Sequence, residues 1–320
     1  MRVSRWVGGG IAACAVAVSL INASWIAPTP RDHLTLIAHH GLAQPSDGDS
    51  AAGCTAPRIR PVEDNKYIEN SLPSMFKASR MGAAVELDVQ ATADGQMIAF
   101  GDPVLECRTN GSGPVRARSL AELKTLDIGY GYTADGGRTF PLRGRGIGGM
   151  PSAEEVLREV PQAKLVFRFA GNDPRDADRL AAAFRRMGMP IDGKYAFHGA
   201  RAVLERMRQL APGAWTFDSG SDGACLDDYL KVGWTGYVPA SCRNTTIFIP
   251  IEGQWKIWGW PNRFQKRMAD ANSRLIMIGG REHGRIVGID HAEQLGDVPR
   301  DFRGWLWVED FYEAGRALGR

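Results

Sequence analysis

Neither sign of charge dominates this chain. Its 39 lysines and arginines stand against 36 aspartates and glutamates, and the basic residues are scattered among the acidic ones. The electrostatic stripe of a nucleic-acid binder is therefore absent, and no nucleic-acid partner is expected. Cysteines are few, 5 in 320 residues, and no two stand in the Cys-x-x-Cys spacing of a zinc site. Also missing is the glycine-rich turn that follows the first strand of a dinucleotide-binding fold. Gly144-x-Gly146-x-x-Gly149 matches that pattern in letters only, because Pro141-Leu142-Arg143 precedes it instead of a strand.

Long apolar runs are confined to the start. Arg2 and Arg5 precede a stretch from Trp6 to Ala27 that is about the length needed to cross a bilayer, interrupted only by Ser19, Asn22 and Ser24. It lacks a clean small-x-small site at its end, so an uncleaved signal anchor over residues 1–30 is expected, with a transmembrane or signal-anchor helix at its centre. The positive-inside tendency then leaves both arginines in the cytoplasm. Residues 31–320 would lie on the exported side of a cell membrane, periplasmic or extracellular, as a single-pass protein. Four cysteines remain in the exported part, an even set that suits an oxidising compartment. Three connectivities are open, of which Cys54 with Cys107 and Cys225 with Cys242 is expected, each bridge tying two loops at one end of the fold.

Beyond the apolar run, short strands alternate with helical patterns. Candidate strands are Leu34 to Ala38, Ala83 to Val89, Met97 to Phe100, Lys164 to Phe169, Tyr195 to Phe197, Ala214 to Phe217, Thr246 to Ile251, Leu275 to Ile278 and Trp305 to Val308. Ser119 with Glu122 and Ser152 with Glu155 form capping boxes, and Asp173-Pro174 opens a helix that stops at Gly188. About eight such units favour a closed α/β (β/α)8 barrel of the TIM type over an open doubly wound sheet. Trp255, Trp258 and Trp260 with Ile257 read either as core or as an apolar rim toward an acyl chain or membrane surface.

Catalytic residues of such barrels sit at the C-terminal ends of strands. There, His39 and His40 close the first strand, and the second carries Glu86-Leu87-Asp88. A spacing of two puts both carboxylates on one face of a strand. A histidine beside them can hold a divalent cation against a phosphate and move a proton, so phosphoester cleavage is the chemistry this pattern suggests.

The pattern resembles the glycerophosphodiester phosphodiesterases over nearly the whole exported part. Matching segments are His39-His40-Gly41, Glu69-Asn70, Glu86-Leu87-Asp88, Gly101-Asp102 and Arg108-Thr109-Asn110-Gly111. They continue into Ser119-Leu120-Ala121-Glu122-Leu123 and Pro151-Ser152. The resemblance implies a metal-assisted hydrolase that splits a glycerophosphodiester, or a related lipid headgroup, into an alcohol and glycerol 3-phosphate. It implies His39 as a catalytic acid or base, and Glu86 and Asp88 as ligands of Mg²⁺ or Ca²⁺. The substrate would be bound by His40, Glu69, Asn70 and Arg168.

The departures from the family pattern fall on the site. His40 replaces an arginine that grips phosphate, and it cannot form the bidentate fork. Gly101 replaces the second histidine and has no side chain to carry a proton. Leu165-Val166-Phe167-Arg168-Phe169-Ala170 puts Arg168 where a carboxylate or amide is expected and Ala170 in place of a lysine. A guanidinium there could satisfy the two carboxylates in place of a cation, leaving no metal. Impaired catalysis is expected from these losses. The alternatives are an inactive relative that binds a phosphodiester or a partner protein, and an envelope scaffold that uses only the barrel's shape.

Overall fold

The structure is a computed structural model that describes residues 2–46, 54–61, 64–218, 223–282 and 285–318. Its strands are β1 (Thr35–Ala38), β2 (Ala84–Ala91), β3 (Met97–Ala99), β4 (Leu165–Phe169), β5 (Tyr195–His198), β6 (Trp215–Phe217), β7 (Thr246–Pro250), β8 (Arg274–Ile278), β9 (Gly280–Glu282), β10 (Arg285–Val287) and β11 (Trp305–Val308). The helices are α1 (Arg2–Asn22), α2 (Leu72–Arg80), α3 (Leu120–Leu123), α4 (Ala153–Glu159), α5 (Arg175–Arg186), α6 (Arg201–Leu210), α7 (Gly223–Val232), α8 (Asn262–Asp270) and α9 (Phe311–Ala317). Eight strands run parallel in the order β6-β5-β4-β2-β1-β11-β8-β7, the α/β arrangement of a TIM-type barrel. All nine strands expected from the sequence are present. One has a different role: β3 pairs antiparallel with β2 and lies off the parallel path. The short pair β9 and β10 was not expected, since its residues carry no alternation of apolar and polar.

The chain divides into two compact units, one of Leu36–Ser219, Val287–Ala292 and Trp307–Arg320, the other of Met1–Thr35, Gly220–Ile286 and Glu293–Leu306. In the first, β2 is buried at every position. Alternation along it sends Val85, Leu87 and Val89 to one face and Glu86, Asp88 and Gln90 to the other. Gln90 Nε2 donates to the carbonyls of Phe100 and Asp102 at 2.8 and 2.7 Å, which satisfies the amide. On β4, Phe167 packs edge-on against Phe184 of α5 at 5.7 Å and stacks on Phe197 of β5 at 5.9 Å. Because Phe167 faces the helix layer, Arg168 must face the opposite side of the sheet. The register then aligns Asp88, Arg168 and His198 across β2, β4 and β5.

Local signals in this unit hold. Both capping boxes form, and Asp173 accepts from the Arg175 amide at 3.0 Å where α5 begins. The glycine pattern at 144–149 holds no nucleotide-type turn: the amides of Gly144 and Gly146 donate to the Asp127 carboxylate at 2.6 and 3.0 Å. Those donors are spent on the protein's own acid.

In the second unit, β7 and β8 pair in parallel, and β8 pairs with the Trp305–Leu306 half of β11. The C-terminal end of α1 is held by Arg267, which donates to the Asn22 side chain at 3.0 Å and to the Ile21 carbonyl at 2.8 Å. Among the described residues no helix is long and apolar enough to cross a membrane. Trp255 is 78% exposed and Trp258 38%, while Trp260 is half-buried against Phe264 and Phe302, so the tryptophans are split between surface and core.

Two disulfides form with the expected pairing, Cys54–Cys107 and Cys225–Cys242, and point to an extracytoplasmic location. They close spans of 53 and 17 residues, for which loop-closure entropy gives about 4 and about 3 kcal/mol. Replacing Cys54 and Cys107 by alanine should therefore lower stability more than replacing Cys225 and Cys242, as read by denaturant midpoints of the two double variants. The reverse order would show that native packing, and not chain entropy, sets the value of each bridge.

Candidate active site

The site grows from the end of β1. His39 follows Ala38, and its amide donates to the Val308 carbonyl at 3.0 Å. The chain then turns through two consecutive left-handed residues, His40 at φ 57° and Gly41 at φ 81°. A side chain on Gly41 would also meet Ser74, its Cβ falling 2.4 Å from the hydroxyl oxygen. The turn brings the two imidazoles together, tilted by 33° with ring centroids 3.6 Å apart, and aims them at different carboxylates of β2.

Glu86 and Asp88 divide these partners. Glu86 is fully buried, with one oxygen on His39 Nδ1 and the other 2.9 Å from His198 Nδ1. Asp88 is 1% exposed, with one oxygen on Arg168 Nε and the other 2.8 Å from His40 Nε2. Burial alone would push both acids up. In Glu86 the neighbouring His39 and His198 outweigh it, and in Asp88 Arg168 and His40 do, holding both carboxyls well below the usual range. For His39, burial opposes the charge, yet Glu309 and Glu86 prevail and raise the imidazole to about 9. Its Nε2 lies 3.7 Å from Glu309 Oε2.

Glu69 and Asn70 support this arrangement from one side. Asn70, left-handed at φ 55°, donates its amide to the His40 carbonyl at 3.1 Å and accepts from the Asp88 amide at 2.9 Å. It is a positioning residue for the histidine turn and for β2. Glu69 pairs with Arg108 Nε at 2.8 Å, and Arg108 also binds Asp102 and the Thr55 hydroxyl, the latter at 2.8 Å. Burial raises the Asp102 carboxyl to about 6, although Arg108 pulls it the other way. Arg108 holds the Glu69 carboxyl low against burial.

All seven expected site residues, His39, His40, Glu69, Asn70, Glu86, Asp88 and Arg168, thus gather in one unit. Two contributors were missed by sequence reasoning. His198 ends β5, one residue beyond the expected strand, and stacks on Phe217 at 4.9 Å with Trp307 edge-on at 5.5 Å. Glu309 follows β11. Each is a titratable residue at the C-terminal end of a parallel strand, and that position was the signal available in the sequence.

His39, His40 and Glu86 each offer a ligand atom, all within 4.8 Å of one another, and could hold a metal ion. Asp88 is not in that set. Mg²⁺ and Ca²⁺ take about six to eight oxygens between protein and water, yet the only carboxylate here, Glu86, has both oxygens on imidazoles. The donors fit a hard cation poorly.

Comparison with known proteins points to the same fold. A family profile described as the glycerophosphoryl diester phosphodiesterase family matches residues 63–178, a stretch that carries Glu69, Asn70, Glu86, Asp88 and Arg168. A glycerophosphodiester phosphodiesterase of Caldanaerobacter subterraneus subsp. tengcongensis is 40% identical over 71 residues, 22% of this chain and 29% of that relative. One of Bacillus subtilis is 36% identical over 94 residues, 28% of this chain and 30% of that relative. The chain thus spans under a third of either relative's length. The glycerophosphoryl diester phosphodiesterase domain of an uncharacterized Mycobacterium tuberculosis protein shares the fold, with a TM-score of 0.61 at 14% identity over 90% of this chain and 99% of that one. An Oleispira antarctica phosphodiesterase, solved with its product sn-glycerol-3-phosphate, gives 0.58 at 17% identity over 93% and 99%. Residues 63–178 thus carry the pattern of the glycerophosphoryl diester phosphodiesterase family, and the proteins of that family to which the chain is similar are distant homologues.

Proposed function

We propose that this chain is a phosphoric diester hydrolase of impaired turnover that acts on a glycerophosphodiester or related lipid headgroup, releasing an alcohol and glycerol 3-phosphate. The observation that carries this reading is the set of His39 contacts. Its Nδ1 is held by buried Glu86, its Nε2 is directed toward Glu309, and its pKa is raised to about 9. An imidazole so placed is charged at neutral pH and can donate a proton to a departing alkoxide. In this scheme water adds to phosphorus and releases a proton to solvent, the phosphorus to leaving-oxygen bond breaks, the leaving oxygen takes the His39 proton, and His39 regains a proton from solvent. Arg168 and His40 would face the phosphate oxygens, with Glu69 and Asn70 holding the surrounding framework. Cation binding by Glu86 and Asp88 would require Asp88 to give up its present partners.

A second reading, an inactive relative that binds a phosphodiester, is favoured by Gly101. No proton carrier stands there, and Asp88 fills the adjoining space: a Cβ on Gly101 would lie 2.2 Å from Asp88 Oδ2. Two substrates separate the readings. The purified chain should hydrolyse glycerophosphocholine and bis(p-nitrophenyl) phosphate slowly, and His39→Ala should lower that rate about a hundredfold to ten-thousandfold. No turnover above the His39→Ala background, with or without divalent cations, would leave the binding relative as the correct reading.

The charged His39 also makes stability depend on pH. Its folded pKa of about 9 lies above the unfolded value of about 6.5, so its contribution is fully present below about pH 6.5 and is lost as pH rises through about 9. Between these values the melting temperature of the wild type should fall toward that of His39→Gln. Parallel curves for the two proteins would mean that Glu86 and Glu309 do not hold the imidazole charged.

Residues 6–27 are proposed to retain the protein at a membrane, on the strength of their apolar run and of the exported character that the disulfides suggest. The full chain should stay with pelleted membranes through an alkaline carbonate wash, and its quantitative release would rule the anchor out.

A further inference from the structure

We propose that Arg168 is the built-in cation of this site, a guanidinium standing where a divalent ion would neutralise both Asp88 and a bound phosphodiester, so that anion binding here needs no metal. The inference deepens the functional reading above and rests on it for the identity of the anion.

Three observations support it. Both Asp88 oxygens are engaged by the protein, one by Arg168 Nε and the other by His40 Nε2 at 2.8 Å and Asn70 Nδ2 at 3.5 Å. Arg168 has donors to spare: only its Nε is on Asp88, one terminal nitrogen stands 3.4 Å from His40 Nε2, and its side chain is 33% exposed where that of Asp88 is 1%. A guanidinium with one edge on a buried carboxylate and the other toward solvent presents paired N–H groups to phosphate oxygens, which a bound metal ion would otherwise attract.

The third observation is Gly101. Its missing side chain leaves room for the Asp88 carboxylate, whose Oδ2 lies 2.2 Å from where a Cβ would stand. That same oxygen meets His40. The Asp88 pose that receives Arg168 therefore depends on glycine at 101, and three sequence departures, His40, Gly101 and Arg168, converge on one carboxylate. Arg168 is fixed from behind as well, because its neighbour Phe167 is locked between Phe184 and Phe197.

Calorimetry on the metal-stripped full chain tests this. The wild type should show no binding of millimolar CaCl₂ or MgCl₂, and should bind glycerol 3-phosphate or inorganic phosphate equally well in EDTA and in Ca²⁺. Arg168→Glu places a third carboxylate beside Glu86 and Asp88, and should gain Ca²⁺ binding, seen as heat and as a Ca²⁺-dependent rise in melting temperature. Arg168→Gln, with a side chain too short to cross-link the site but neutral and less disruptive, should weaken anion binding about tenfold or more while staying folded. Anion binding by the wild type that appears only with a divalent ion would overturn the proposal. So would unchanged anion affinity in folded Arg168→Gln. If the wild type binds neither anion, the phosphodiester reading falls, and the Ca²⁺ response of Arg168→Glu still decides whether Arg168 holds a cation's place.

Discussion

Two buried carboxylates, two residues apart on one strand, are the constraint that this site is built around. Each ion taken out of water costs several kcal/mol even after the surroundings relax, and stripping one partner from a buried pair costs about 3–5 kcal/mol. β2 imposes that cost twice, at Glu86 and Asp88, on a strand with no exposed position. All four carboxylate oxygens are met: His39 and His198 on Glu86, Arg168 and His40 on Asp88. The four partners come from the ends of β1, β4 and β5, so the strand ends must converge for the acids to be buried at all. Electrostatics and chain topology are here one requirement.

A second polar network backs the first. Arg108 lies between Glu69 and Asp102, and is joined to Thr55 next to the Cys54–Cys107 bridge. Asn70 links the two networks, with its amide on the histidine turn, its side chain on the Asp88 amide and its chain neighbour Glu69 on Arg108. The disulfide thus fastens a loop that carries Thr55 to the residue preceding Arg108. The left-handed conformations at His40, Gly41 and Asn70 are concentrated where these connections are made, as expected where surrounding contacts determine an uncommon backbone shape.

Much of this was legible in the sequence because it is local or periodic. Strand positions follow from apolar runs, capping boxes from a three-residue spacing, and the shared face of Glu86 and Asp88 from alternation alone. What was not legible depends on packing. His198 and Glu309 stand alone in the sequence, without a motif, and become site residues only because parallel register brings their strand ends to β2 and β1. β3 reads as one more strand of the barrel, and its antiparallel return along β2 is fixed by the tight turn at Thr92–Gln96, where the Thr92 amide donates to the Gln96 carbonyl at 2.9 Å. Which acid Arg168 would take was also hidden: the guanidinium could reach either in principle, and register places it opposite Asp88.

The substitutions at this site form a dependent set. A histidine restored at 101 would drive its Cβ into Asp88 Oδ2, 2.2 Å away, and push that carboxylate off His40. A carboxylate restored at 168 would remove the partner of a buried acid and add another negative charge beside it. An arginine restored at 40 would bring a second guanidinium next to Arg168, whose nitrogen already lies 3.4 Å from the His40 ring. The three positions are coupled, because they meet at one carboxylate. Independent erosion of a metal site would instead leave orphaned donors and acceptors, yet Glu86 and Asp88 have every oxygen engaged. In the present structure Arg168, His40 and the space left by Gly101 all meet at Asp88, so the charge of this carboxylate is balanced within the chain itself.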